Sequence, residues 1–175
     1  MAQRSSGETK NIHQKLAKDL VHWYQQGHRD LPWRHTQDPY AIWISEIMLQ
    51  QTTSQAVIPF YERFLKRFPT LKSLSRASQE DVYALWAGLG YYSRARNILK
   101  AAQLLATQPF PQSWSDLIEF PGFGPYTARA VSSFAFGERV GVVDGNVIRC
   151  LSRVFDMNVE WWRDSGRALF QEHAD

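Results

Sequence analysis

The chain has 175 residues, 44% hydrophobic and 21% charged, with a net charge of +3 and a pI of about 9.1. That is the balance of a globular domain, mildly basic and far from a polycationic tail, so it permits nucleic-acid binding without requiring it. No apolar run approaches the ~18–20 residues of a membrane span, and the polar start MAQRSSGETK lacks the apolar stretch of a secretory signal. Residues 1–10 read as a disordered tail. The single Cys150 excludes an intrachain disulfide and reads as a small buried residue between Ile148 and Leu151.

Helical periodicity dominates in chain order. Ile12, Leu16, Leu20 and Tyr24 recur every fourth residue, and Gly27 supplies a stop. Asp38 and Pro39 predict a cap and first position for a helix from Tyr40 to about Gln51. Ser54 is read as the next cap, ahead of the stripe Val57, Ile58, Tyr61, Phe64, Leu65 and Phe68. Ser78 with Asp81 resembles a capping box for Val82, Leu85 and Trp86. A helix from Tyr92 to Leu105 follows, and Ser113 caps a short one. Two glycines and two prolines between residues 121 and 125 then break the pattern, before a helix from about Tyr126 to Phe136. Val140 to Val143 is β-prone, and a last helix starts near Val147. The fold expected is all-α, with short connections.

Two features invite chemistry. The run Pro121, Gly122, Phe123, Gly124, Pro125 is either an ordinary turn or a tight hairpin. Its glycines can take positive φ, and the following helix N-terminus suits a phosphate. A monovalent cation on its carbonyls is a further option. Glu46 stands among Trp43, Ile44, Ile47 and Met48. Either it points outward, or burial raises its pKa and makes it a general acid. Asp144, before Gly145 and Asn146, reads as a helix cap. The same helix N–H groups would hold it ionised, fit to stabilise a sugar cation.

Residues 117–128, LIEFPGFGPYTA, resemble the helix-hairpin-helix of the DNA glycosylase superfamily, and VVDGNV at 142–147 stands where that superfamily carries its aspartate. LPWR at 31–34, SEIMLQQT at 45–52 and GLGYYSRARN at 88–97 look like blocks of adenine DNA glycosylases. The resemblance implies two helical lobes with a cleft. There Glu46 would protonate adenine N7, Asp144 would stabilise the sugar cation, and water would complete hydrolysis of a flipped-out base. Tyr126 stands where endonuclease III-like relatives carry a Schiff-base lysine, which implies base removal without strand cleavage. Tyr126 and Asn146 would support Asp144.

By the same resemblance, Gln51 and Tyr91 wedge into the duplex, and Thr52 and Leu89 approach the opposite 8-oxoguanine. Trp33 and Arg34 line the adenine pocket, and Leu49, Gly122, Gly124 and Thr127 complete the DNA-facing set. Trp33 also suits a core, and Arg94 and Arg96 read as a solvated helix face. Relatives continue into four cysteines binding a 4Fe-4S cluster and a C-terminal domain. The division expected is therefore a tail (1–10), part of the second lobe (11–30), the glycosylase core (31–155) and the start of a truncated segment (156–175). The second lobe would be incomplete, no metal or cluster would bind, and residues 11–30 would expose apolar surface.

The partner expected is double-stranded DNA with a mispaired adenine, bound by a monomer. The setting expected is cytoplasmic in a bacterium, and nuclear or mitochondrial in a eukaryote. The alternatives are a glycosylase for thymine or uracil opposite G, and a non-catalytic DNA-binding remnant.

Overall fold

The computed structural model describes residues 6–175. It is helical, with no strand among the described residues: α1 (Ser6–Gly27), a 3-10 turn (Pro32–Arg34), α2 (Pro39–Leu49), α3 (Ser54–Arg67), α4 (Leu71–Ser75), α5 (Gln79–Trp86), α6 (Tyr92–Leu105), α7 (Trp114–Leu117), α8 (Pro125–Phe136), α9 (Gly145–Phe155) and α10 (Asp164–Ala174). Of the tail expected over residues 1–10, residues 1–5 lie outside the described residues, and α1 already begins at Ser6.

Local chemistry sets most helix starts. The Asp38 carboxylate accepts from the Tyr40 N–H at 3.1 Å, with Pro39 opening α2. Ser78 accepts from Asp81 N, and Ser113 from Asp116 N. The cap of α3 is Thr53 rather than Ser54, and α4 carries a reciprocal box between Thr70 and Ser73. Each cap satisfies N–H groups that the first turn leaves unpaired.

The core forms around α2, which is buried from Tyr40 to Met48. A helix apolar all round must be covered on every side. It packs on α3 and α8, while α6 packs on α4 and α5. Trp43, Trp86, Phe64 and Phe68 are among the large side chains buried here.

The remaining elements differ from expectation. Val140 to Val143 forms an irregular, half-buried loop, because no neighbouring strand supplies a ladder for its backbone. Cys150 is exposed: each helical residue turns ~100°, and its neighbour Leu151 takes the inward direction in α9. In α1, Leu20, Val21, Trp23 (65%) and Tyr24 are exposed, the apolar surface expected of residues 11–30. At the other end, the Asp175 carboxylate accepts from Gly141 N and from Arg129 Nη1, both at 2.8 Å. Gln171 donates to the Gly141 carbonyl. These bonds fasten α10 to the loop before α9.

Candidate active site

Three elements bring three expected residues together. Glu46 lies in α2, one turn beyond Trp43 and on the same face. Trp43 stacks on Phe123 of the hairpin, with ring centroids 4.9 Å apart and planes 14° from parallel. That stack ties the Glu46 helix to the turn ahead of α8, whose first turn carries Tyr126. Asp144 caps α9 from the loop beyond.

The two carboxylates meet different surroundings. Glu46 is 7% exposed, and burial pushes its pKa from 4.5 up to about 7. The nearby Tyr126 hydroxyl opposes this shift, and the charge of Asp144 adds to it. The pKa of Tyr126 is itself raised, by burial and then by the charges of Glu46 and Asp144, so it remains a neutral donor. Asp144 Oδ1 accepts from Asn146 N at 2.9 Å and Val147 N at 2.8 Å, and its Oδ2 accepts from Asn146 Nδ2 at 3.0 Å. Arg149 in turn donates to Asn146 Oδ1. One carboxyl is placed to hold a proton near neutrality, and the other is presented by N–H donors suited to an anion.

A cleft of about 500 Å³ opens beside Tyr126 and Asp144, walled also by Arg129, Trp161, Arg167 and Gln171. Glu46 is not part of its wall. In the hairpin, Gly122 has φ +85° with Asn97 Cβ only 3.1 Å from where its own Cβ would lie. Gly124 has φ −80° and serves as the uncapped N-cap of α8, so positive φ is needed at one of the two glycines. The first N–H groups of α8 have no capping side chain.

Other expected residues fall elsewhere. Gln51 and Tyr91 are exposed at the ends of two turns, both with left-handed backbone. Thr52 and Leu49 are half-buried, and Leu89 joins the core. Thr127, expected at the DNA face, is 2% exposed and accepts from Gln50 Nε2 at 3.3 Å; it ties α2 to α8 from within. Trp33 packs edge-on against Tyr61 in the core. Arg34 is exposed, donates to the Arg29 carbonyl and lies over the Tyr24 ring of α1. Arg94, read as a solvated residue, is half-buried and bonds backbone carbonyls, whereas Arg96 is exposed. The sequence carried no signal for that role, because its acceptors are main-chain atoms.

Among the described residues no cluster of His, Cys, Asp and Glu could hold a metal ion. A 4Fe-4S cluster needs four thiolates, and the one cysteine here, exposed Cys150, does not fit it.

Comparison with known proteins places the arrangement. Residues 44–165 match the family model described as HhH-GPD superfamily base excision DNA repair protein. An adenine DNA glycosylase of Buchnera aphidicola subsp. Baizongia pistaciae is 44% identical over 144 residues, covering 80% of this chain and 41% of that protein. The Homo sapiens adenine DNA glycosylase is 46% identical over 147 residues, covering 77% of this chain and 27% of its own. The matched segment thus covers less than half the length of these relatives. A solved structure of a thermostable thymine-DNA glycosylase superposes with a TM-score of 0.84 at 25% identity, covering 95% of this chain and 80% of that one. With the matched segment running from the Glu46 helix through the hairpin to Asp144 and beyond, the chain belongs to the HhH-GPD superfamily of base excision DNA repair proteins.

Proposed function

We propose that this chain carries the chemistry of a monofunctional DNA glycosylase, hydrolysing the N-glycosidic bond of adenine mispaired with 8-oxoguanine or guanine. The observation that carries the reading is the buried Glu46 carboxyl facing Tyr126 and Asp144. Glu46 donates its proton to N7 of a flipped-out adenine, which makes the base a neutral leaving group. The C1′–N9 bond then breaks with its electron pair going to the base. Asp144 faces the resulting oxocarbenium ion, and water adds at C1′ and gives up a proton to the Glu46 carboxylate left by the first step. Tyr126 offers no amine for an imine at C1′, so the strand stays intact. The hairpin and the α8 N-terminus supply N–H groups for a backbone phosphate. The identity of the relatives supports adenine as the base.

The test is single-turnover base release from duplexes carrying A opposite 8-oxoguanine, read after alkali. Glu46→Gln is expected to lower the rate by about 10²–10⁴-fold. The parent rate should fall as pH rises through about 7, where Glu46 loses its proton. A Glu46→Gln rate equal to the parent's would sink the proposal. The likeness to a thymine-DNA glycosylase favours a second reading, thymine opposite G, which a panel of mispaired duplexes separates. Salt-sensitive duplex binding with no base release would identify a DNA-binding remnant instead.

A further inference from the structure

Arg94, in the first turn of α6, grips two turns at once. Its Nη1 donates to the carbonyls of Ile47 (2.8 Å) and Gln50 (2.7 Å), in and just beyond the last turn of α2. Its Nη2 donates to the carbonyls of Leu89 (3.1 Å) and Gly90 (3.3 Å), in the turn between α5 and α6. The guanidinium also lies 5.3 Å from the Tyr91 ring centroid and 5.7 Å from that of Trp86.

The next residue in each turn is left-handed: φ is +61° at Gln51 and +49° at Tyr91. Neither is glycine, and such backbone persists only where the surroundings over-determine it. The geometry shows how this happens. The φ of a residue is the rotation of its preceding peptide plane about N–Cα, and that plane contains the preceding carbonyl. Arg94 holds the carbonyl of Gln50 before Gln51 and that of Gly90 before Tyr91. Because the guanidinium is one rigid plane, the two rotations are fixed relative to each other. Tyr91 is 62% exposed and Gln51 is exposed as well, so this clasp presents two solvent-facing side chains from a stiff base.

We infer that Arg94 is a positioning residue that locks the Gln51 and Tyr91 turns into one unit for insertion into a DNA duplex; the insertion half rests on the function proposed above. Lysine keeps the charge but offers a single point rather than a fork.

The test uses the 175-residue chain with Arg94→Met and, should that variant fold poorly, Arg94→Lys. Amide hydrogen exchange reads the turns without DNA. Arg94→Met is expected to speed exchange in both turns together, on the order of 10- to 100-fold, with Arg94→Lys intermediate. Fluorescence of 2-aminopurine, placed as the target base in a duplex, reads unstacking. It should drop about tenfold in Arg94→Met while affinity for an undamaged duplex and its salt slope stay at the parent's values, because Arg94 touches carbonyls rather than phosphates. Faster exchange in only one turn, or in neither, overturns the clasp. Loosened turns with unstacking equal to the parent's overturn its role on DNA. Loosened turns in a chain whose parent unstacks nothing support the clasp and sink the DNA reading alone.

Discussion

The main core runs from Leu31 to Val131, whereas beyond residue 140 only Leu151, Gly166 and Phe170 are buried. The candidate site straddles this divide. Glu46 belongs to the dense side, where packing of α2 on α8 fixes it and raises its pKa. Asp144 belongs to the sparse side, where its placement comes from three hydrogen bonds within its own helix start. Packing and capping are thus two independent ways of aiming a carboxylate. The first is global and changes the group's proton affinity, while the second is local and survives loose surroundings.

The sharpest way to break the contrast is to cut each side. Trp43→Ala removes a fully buried ring and its stack on Phe123, and should cost ~3–5 kcal/mol in urea unfolding. Phe170→Ala should loosen hydrogen exchange in α9 and α10 while leaving α2 and α8 protected. Equal effects of both changes on every helix would show one cooperative unit and abolish the distinction.

A smaller effect lies in the pH dependence. With its folded pKa raised above the unfolded value, Glu46 keeps a proton in the folded chain that the unfolded chain has released. Stability should therefore fall as pH climbs from about 4.5 to about 7 and level off above, by ~3 kcal/mol. Glu46→Gln should flatten that slope in denaturation curves taken across this range. An unchanged slope would assign it to other groups.

The smallest expected stability change concerns Asp144. Asp144→Ala should cost ~0.5–2 kcal/mol through loss of the cap, and Asp144→Asn much less, since asparagine caps nearly as well. Base release should fall in both, because neither keeps the negative charge. A fully active Asp144→Asn would reduce this residue to its capping role.

How much of this was legible in the sequence follows the same divide between local and global causes. Caps at Asp38, Ser78 and Ser113 could be read because donor and acceptor lie two or three residues apart. The five-residue α4 is too short to show a period, and Val140 to Val143 has strand-like residues but no partner to pair with. At the site, the apolar neighbours of Glu46 left burial as one of two readings, and the packing of α2 decides it. Its meeting with Tyr126 and Asp144 depends on how α2, α8 and α9 pack, which spacing does not encode. Arg94 lay beyond pattern reading altogether, since any residue type can offer a carbonyl.

Gly141, beneath the bonds that hold α10, has a consequence for substitution. A Cβ there would sit 2.3 Å from the Ala174 carbonyl oxygen. Even alanine would wedge the last helix away from its loop and pull at the cleft wall formed by Arg129 and Gln171. A scan of every replacement across residues 138–175 would therefore find tolerance along exposed surface, interrupted at two positions with no side chain to lose, Gly141 and Gly166, where an added Cβ would sit 2.3 Å from the Glu160 carbonyl oxygen. What is protected there is a close approach of two backbones.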